Sequence, residues 1–140
     1  GVVGAGIPIA CGAALAIRLK GEDAIVACFF GDGAINRGPF LEGMNWAALY
    51  RLPLLFVCED NGFAAFTRGR AVTAGAGPAA RAEACGVPAV SVDGEDVLAV
   101  DGMAAELVAL RAVVRQARRM RYLANCPSVR TLMDRLPRRL

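Results

Sequence analysis

The stretch Ala24-Ile-Val-Ala-Cys-Phe-Phe-Gly-Asp-Gly33 places an apolar run directly before a short polar turn. A second apolar run, Leu52-Pro-Leu-Leu-Phe-Val-Cys58, leads in the same way into Glu59-Asp-Asn61. Continuous apolar runs of this length are typical of strands buried on both faces of a parallel sheet. The sequence therefore predicts two buried strands, each of which ends in a polar turn.

Helical patterns flank these two runs. Residues 38–50 place apolar side chains at helical spacing, and residues 8–20 form an Ala- and Gly-rich pattern between Pro8 and Gly21, residue types that favour helix starts and ends. A strand, a helix and a second strand in this order favour a right-handed crossover within a parallel sheet. We therefore predict an α/β fold with a parallel sheet flanked by helices.

Weaker patterns predict the rest of the organisation. In chain order they indicate a long loop, a short helix, a third strand and a long helix, at 62–78, 79–86, Val87–Val92 and 102–123. Beyond the last helix the pattern degrades. We expect one α/β domain over residues 1–123, and a tail over residues 124–140 that has no place in the core.

The charge distribution supports a boundary near residue 110. Residues 1–110 carry 7 basic and 12 acidic side chains, whereas residues 111–140 carry 9 arginines and one aspartate. A reversal of sign along a chain indicates a change in organisation. No apolar stretch approaches the roughly 18 residues of a membrane span, and no signal-peptide pattern precedes the first helix, so no membrane partner is expected.

The five cysteines predict buried thiols rather than a metal centre. They lie far apart, without a CxxC pair, and two fall inside predicted strands. Free thiols of this kind are typical of a reducing cytosol, so a cytoplasmic location is expected.

The two polar turns predict a cation site. One turn offers the carboxylate of Asp32 and the other the amide of Asn61, with 27 residues between Gly33 and Asn61. Mg²⁺ prefers oxygen ligands and is often held by one or two protein groups together with phosphate oxygens. The pattern therefore suits a hard cation that bridges a diphosphate, although Asp32 alone would equally suit an Asx turn or a helix cap.

The chain resembles the alpha subunit of the thiamine diphosphate-dependent first component of 2-oxo acid dehydrogenase complexes. The motif of Gly-Asp-Gly followed by Asn after 25 to 30 residues carries the resemblance. Further matching segments extend it over roughly residues 1 to 110, namely Gly1-Val-Val-Gly-Ala-Gly-Ile-Pro8, Gly31–Glu42, Asn45-Trp-Ala-Ala-Leu49, Phe56–Phe63 and Val92-Asp-Gly-Glu-Asp-Val-Leu98. The resemblance implies an incomplete thiamine diphosphate-binding fold.

The resemblance also implies the ligands of the cation. Asp32 and Asn61 would bind Mg²⁺ through side-chain oxygens, and Phe63 through its backbone carbonyl. Asp60 departs from the family pattern, because it places a second anion beside the expected diphosphate.

Contacts to the cofactor itself follow from the same resemblance. Gly33 and Ala34 would let the diphosphate approach the backbone closely, and Gly1 and Val3 would meet the aminopyrimidine ring of thiamine diphosphate. Glycine permits such an approach because it carries no side chain.

Other polar residues on these segments favour structural interpretations. Glu42 and Asn45, three residues apart on one predicted helix, are expected to orient the turn or to contact a partner subunit. Arg68 and Arg70 are expected to lie in a solvated loop.

The implied chemistry belongs to an assembly. Family members decarboxylate a 2-oxo acid and transfer the acyl group to lipoamide, working as α₂β₂ heterotetramers with a lipoyl-bearing acyltransferase. The beta subunit supplies the glutamate that activates the cofactor, so no catalytic residue is expected in this chain. Relatives such as acetoin dehydrogenase share the pattern, and the 2-oxo acid itself is left open.

The sequence also departs from the family pattern. It contains no histidine, although the family carries one in a segment downstream of the long helix. We therefore expect a fragment that is inactive alone, and the alternative is a non-catalytic remnant that binds no cofactor tightly. The arginine-rich end has one aromatic residue and no nucleic-acid-binding motif, so no nucleic-acid partner is expected, and a shifted reading frame is the interpretation that we favour.

Overall fold

The computed structural model describes the backbone of residues 1–117 and the side chains of residues 1–109. This part of the chain forms five α-helices and four strands. They are, in order, α1 (Gly6–Lys20), β1 (Val26–Gly31), α2 (Gly38–Tyr50), β2 (Leu54–Glu59), β3 (Phe63–Ala64), β4 (Thr67–Arg68), α3 (Gly69–Val72), α4 (Pro78–Ala84) and α5 (Val97–Ala117). A 3₁₀ helix, Asp32–Asn36, joins β1 to α2 and is called the Asp32 turn below.

The strands β1 and β2 form a parallel pair, as predicted. Their register places Val26 opposite Leu54 and Gly31 opposite Glu59, so the two strands end at the same edge of the sheet. The α2 helix connects them, as the spacing of its apolar residues indicated. The α/β architecture with parallel strands and flanking helices is therefore confirmed.

The α1 helix ends where the sequence predicted. Gly21 adopts a left-handed conformation with φ of 68°, and its N–H donates to the carbonyl of Arg18 at 3.2 Å. The N–H of Glu22 donates to the carbonyl of Ile17, which completes the pattern of bonds expected at a glycine-capped helix end. The helix begins at Gly6, two residues before the predicted start.

The core lies where α1 and α2 pack on one face of the sheet. Its largest fully buried side chains come from α1, the Asp32 turn and α2, and are Ile7, Cys11, Ile35, Phe40 and Met44. The two helices approach closely at Gly43, because a Cβ there would clash with the side chain of Ile7. The Cys11 thiol donates to the Gly43 carbonyl at 3.4 Å in the same contact.

The prediction that β1 is buried on both faces is wrong. Cys28 faces the core, with Val26 and Phe30 packed against it, whereas Phe29 on the opposite face is 66% exposed. Among the described residues, α1 and α2 cover one face of the strand and no element covers the other. An apolar run reports hydrophobicity but not whether both faces are packed.

The predicted loop over 62–78 is also wrong in part. It contains the β3–β4 hairpin, in which Phe63 pairs with Arg68 and Ala64 with Thr67, followed by the short α3 helix. Ala65 at the hairpin tip has a positive φ of 51°, a conformation that alanine seldom adopts. The sequence offered no glycine or asparagine there, so the usual signal for a hairpin turn was missing.

The third strand predicted at Val87–Val92 does not form. Only Ala89 makes an isolated β-bridge, although Val87 and Ala89 are both buried in the core. Pro88 lies between them and has no backbone N–H to donate to a ladder. The segment therefore keeps the inward-facing alternation of a strand without a continuous hydrogen-bonded ladder.

The last helices shift relative to prediction. The α4 helix covers Pro78–Ala84, against 79–86 predicted. The α5 helix begins at Val97, five residues before the predicted start, because the Asp96 carboxylate accepts the N–H groups of Leu98 and Ala99 at 3.0 and 3.1 Å. The end of the predicted helix at 118–123 and the tail at 124–140 lie outside the described residues. Across the described range, no helix is both long and apolar enough to cross a membrane.

Candidate cofactor-binding site

Asp32 is a buried carboxylate at the end of β1. Its side chain is only 7% exposed, and Oδ1 is fully buried with no hydrogen-bond partner among the described residues. A buried carboxylate oxygen without a partner is unfavourable, because it has lost its hydration without gaining a replacement. The position therefore suits a ligand that supplies positive charge.

Asn61 follows the end of the neighbouring strand. Gly31, the last residue of β1, is opposite Glu59, the last residue of β2. The segments that begin with Asp32 and with Asp60-Asn61 therefore start side by side at the same edge of the sheet. The Asn61 side chain is exposed, and its Oδ1 accepts the N–H of Phe63 at 2.9 Å. An amide oxygen has a second lone pair, so this Asx turn leaves it able to bind a cation.

The β3–β4 hairpin packs directly on the Asp32 turn. A Cβ built on Gly33 would lie 2.9 Å from the Ala64 Cβ and 3.1 Å from its Cα, closer than side chains normally approach. The hairpin can therefore pack on the turn only because position 33 carries no side chain. Its predicted role beside a diphosphate, and that of the buried Ala34, stay predictions.

The base of the hairpin covers the carboxylate. Gly69 donates its N–H to the Gly62 carbonyl at 2.7 Å, which closes the hairpin. A Cβ on Gly69 would lie 3.2 Å from Asp32 Oδ2, so glycine is the residue that leaves most room beside this oxygen. The carboxylate thus lies between its own turn and the segment that starts at Gly69.

A hydrogen-bond network around Arg81 was missed by the sequence reasoning. The guanidinium donates to the Ile35 carbonyl at 2.8 Å, to Asn36 Oδ1 at 2.7 Å and to the Ala74 carbonyl at 3.3 Å. The Asn36 amide donates to the Thr73 hydroxyl at 2.7 Å. No motif in the sequence marks these residues, because the bonds to the Asp32 turn join residues 37 to 46 positions apart along the chain.

The N-terminal segment lies beside the end of the Asp32 turn. A Cβ on Gly4 would lie 3.6 Å from the Cβ of Arg37 and 3.7 Å from that of Pro39. Val3 is 54% exposed, and no described atom would contact a Cβ on Gly1. The structure thus places the segment near the turn, and the predicted contacts of Gly1 and Val3 with a cofactor ring stay predictions.

The electrostatic environment at the strand ends is negative. Burial, reinforced by the negative charges of Asp60, Asp32 and Glu59, raises the pKa of the Cys58 thiol to about 12. Cys58 is therefore a neutral thiol near neutral pH, and it adds no negative charge of its own to this edge. The surrounding carboxylates favour a cation at this edge of the sheet.

The donor set fits Mg²⁺ held jointly with a phosphate-bearing ligand. In the described part of the chain, no three His, Cys, Asp or Glu side chains group closely enough to hold a metal ion by themselves. Mg²⁺ commonly takes one or two protein groups and fills its other positions with phosphate oxygens and water. Asp32, with an unpartnered oxygen, matches such a site.

The other polar residues expected to have structural roles are all exposed. Glu42 and Asn45 lie on the outer face of α2, and Arg70 is exposed on α3. Arg68 lies over the ring of Phe63, with 5.7 Å from its guanidinium carbon to the ring centroid. This contact braces the hairpin, and none of these side chains points to an acid or base role.

The fold defines an α/β protein whose parallel strands end together at one edge, where ligands of such folds bind. Comparison with known families identifies it further. The Dehydrogenase E1 component family matches residues 1–121, and the chain belongs to this family.

Curated relatives agree with this assignment. The alpha subunit of acetoin:2,6-dichlorophenolindophenol oxidoreductase from Cupriavidus necator is 45% identical over 108 residues, 77% of this chain and 32% of the relative. The pyruvate dehydrogenase E1 component subunit alpha of Zymomonas mobilis is 41% identical over 104 residues, 74% of this chain and 29% of the relative. The chain thus spans about a third of the length of these relatives.

A solved structure supports the fold. A protein from Mycobacterium smegmatis assigned as a thiamin diphosphate-dependent enzyme aligns with a TM-score of 0.58 and 28% identity, over 75% of this chain and 20% of that one. The predicted thiamine diphosphate-binding fold, small and incomplete, is therefore confirmed.

Proposed function

We propose that this chain is the thiamine diphosphate- and Mg²⁺-binding part of an E1 alpha subunit that takes part in oxidative decarboxylation of a 2-oxo acid, with acyl transfer to lipoamide. The observation that carries the proposal is the buried, unpartnered Oδ1 of Asp32 at the end of β1. Family membership over residues 1–121 supports the same cofactor.

The residues of the chain have distinct roles in this proposal. Asp32, Asn61 and the Phe63 carbonyl would hold Mg²⁺, and the backbone at Gly33 and Ala34 would lie beside the diphosphate. Thiamine diphosphate, when bound, supplies the electron sink for decarboxylation. The base of the hairpin covers the Asp32 carboxylate, and this shielding from bulk water would strengthen its interaction with a bound cation.

No general acid or base is assigned to this chain. We propose that the catalytic carboxylate comes from a beta subunit in a heterotetramer, and that a lipoyl-bearing acyltransferase accepts the product. Acetoin is a second candidate substrate, because the acetoin-oxidising relative has a higher identity than the pyruvate dehydrogenase one, 45% against 41%. A cytoplasmic location stays a prediction.

Calorimetric titration of the full 140-residue chain with thiamine diphosphate in the presence of Mg²⁺ tests the proposal. We expect saturable binding that is lost when Mg²⁺ is removed and lost in Asp32→Ala. The matched control is Asp101→Ala, because Asp101 is an exposed carboxylate on α5, and it should bind as the wild type does. A folded wild-type chain that does not bind would favour the alternative function, a remnant that holds no cofactor tightly.

A further inference from the structure

Arg81 connects the two segments that lie on either side of the Asp32 carboxylate, which are the Asp32 turn and the segment 69–74. Its Nη1 atom donates to the carbonyl of Ile35 and to the side chain of Asn36, both in the Asp32 turn. Its Nη2 atom donates to the carbonyl of Ala74, in the segment that follows α3. A single side chain from α4 thus holds the turn that carries Asp32 and a segment from another part of the chain.

The second segment is the one that covers the carboxylate. Gly69 lies beside Asp32 Oδ2, and the carbonyl of Gly69 accepts the N–H of Thr73 at 2.8 Å. Thr73 in turn accepts the hydrogen bond from the Asn36 amide. Arg81 bonds to Ala74, the neighbour of Thr73, and Thr73 is bonded to Gly69 one helical turn earlier. Arg81 is therefore connected to the residue that lies beside Asp32 Oδ2.

The guanidinium has the geometry for this task. Its planar group presents several N–H donors in fixed directions, so three acceptors on two segments are held at a defined separation. All three acceptors of Arg81 are neutral oxygens, and the bonds are charge-assisted on the donor side only. Charge-assisted bonds are stronger than neutral ones and fix geometry more tightly.

We infer that Arg81 is a positioning residue for the cation site: by tying the Asp32 turn to the segment 69–74, it fixes the space in which a divalent cation meets the Asp32 carboxylate. The inference rests on the proposed function, since it concerns the same cation. Arg81 does not contact the cation in this scheme. Outer residues that orient metal ligands commonly change metal affinity by about 10- to 100-fold when replaced.

The test measures Mn²⁺ binding to the full chain by electron paramagnetic resonance, in the presence of thiamine diphosphate. Arg81→Met keeps the length of the side chain but removes its donors, and it should weaken Mn²⁺ binding about 10-fold or more. Arg81→Lys keeps a charged donor that reaches one acceptor, and it should recover part of the affinity. Arg18→Met removes an exposed arginine from the last turn of α1 and should leave Mn²⁺ affinity unchanged.

The thermal unfolding midpoint of each variant, measured without metal, shows whether Arg81 positions the cation site or only stabilises the fold. If Arg81→Met lowers the midpoint but binds Mn²⁺ as the wild type does, the residue is only structural and the inference is overturned. Should Arg81→Met not fold, Thr73→Val decides, because it removes the acceptor of Asn36 alone; several-fold weaker binding supports the inference and wild-type affinity overturns it. A wild-type chain that does not bind Mn²⁺ would overturn the proposed function together with the inference.

Discussion

Asp32 holds a carboxylate oxygen in a place where, within the described residues, nothing satisfies it. Such an arrangement lowers stability in the absence of ligand and is typical of binding sites rather than of cores. Asn61 and Phe63, by contrast, already form a closed Asx turn beside it. Ligand binding should therefore stabilise the Asp32 carboxylate more than any other part of the site.

We expect Asp32→Ala to have opposite effects on binding and on stability. Removal of a buried acceptor without a partner should raise the free energy of unfolding of the ligand-free chain by about 1 kcal/mol or more, while cation-dependent cofactor binding disappears. Urea unfolding with and without Mg²⁺ and thiamine diphosphate measures both effects. A lower free energy of unfolding in the ligand-free variant would mean that the carboxylate has an internal role.

Cys58 should make stability depend on alkaline pH. Burial, with the nearby carboxylates, raises its pKa from the ordinary 9.0 to about 12, and burial raises the pKa of Cys11 to about 11. The unfolded chain therefore releases these protons first, so their contribution is complete below pH 9 and is lost as the pH rises toward 12.

The expected result is a thermal midpoint that falls between pH 9 and pH 12. Burial also raises the pKa of Cys28, so Cys58→Ser removes one of three such thiols and should make this fall shallower, without a change in slope below pH 9. An identical pH profile for the variant and the wild type would contradict the assigned burial of this thiol.

At the scale of elements, the sequence predicted what depends on local pattern. The helices α1 and α2 and the parallel pair β1 and β2 follow from apolar spacing and from capping residues such as Gly21. The sequence did not predict the hairpin, because Ala65 adopts its left-handed conformation without the usual turn residue. It predicted a strand at Val87–Val92 because apolar alternation does not report the hydrogen-bond partners that a strand needs.

The same limit applies to the candidate site. A motif with fixed spacing pointed to Asp32 and Asn61, and strand register places the chain exits toward them side by side. The network of Arg81, Asn36 and Thr73 depends on tertiary contacts between segments far apart in sequence. Single-sequence reasoning has no signal for such contacts.

The packing of the hairpin on the Asp32 turn gives a prediction at this scale. Gly33→Ala would place a methyl group against Ala64, and overpacking of this kind typically costs about 1–3 kcal/mol. The double variant Gly33→Ala with Ala64→Gly should recover part of this loss, because the two residues share the contact. Chemical denaturation of the single and double variants measures the coupling.

A control for this experiment lies within α1. Gly12 is an interior helix position where a Cβ would meet no described atom within 4 Å. Gly12→Ala should therefore stabilise the chain by about 0.5–1 kcal/mol through helix propensity. Equal effects of alanine at Gly12 and Gly33 would contradict the packing of Ala64 on the turn.

At the scale of the whole molecule, the described surface carries many exposed apolar side chains. Phe29 on the open face of β1 and Leu49 on α2 are examples, at 66% and 65% exposure. The chain also spans only about a third of its curated relatives. Exposed apolar side chains of this kind suit a surface that packs against further protein, which agrees with the assembly proposed above.

We therefore expect no decarboxylation of pyruvate and no oxidation of acetoin by the chain alone, even with Mg²⁺ and thiamine diphosphate. The sequence contains no histidine, and the proposal assigns the catalytic carboxylate to a beta subunit. Release of carbon dioxide and reduction of an artificial electron acceptor are the measurements. Turnover above the protein-free rate that disappears in Asp32→Ala would show that the chain is catalytically sufficient.

The order of the site's parts along the chain has a consequence for its biosynthesis. The Asp32 turn, Asn61 and the covering Gly69 lie in one contiguous stretch, whereas Arg81 follows on α4. Since a chain leaves the ribosome from its N-terminus at about 5–20 residues per second, the carboxylate emerges first, its cover next and the arginine that ties them together last. A nascent chain that stalls before Arg81 would carry every proposed ligand of the metal. It would lack the arginine proposed to fix the distance between the Asp32 turn and the segment 69–74.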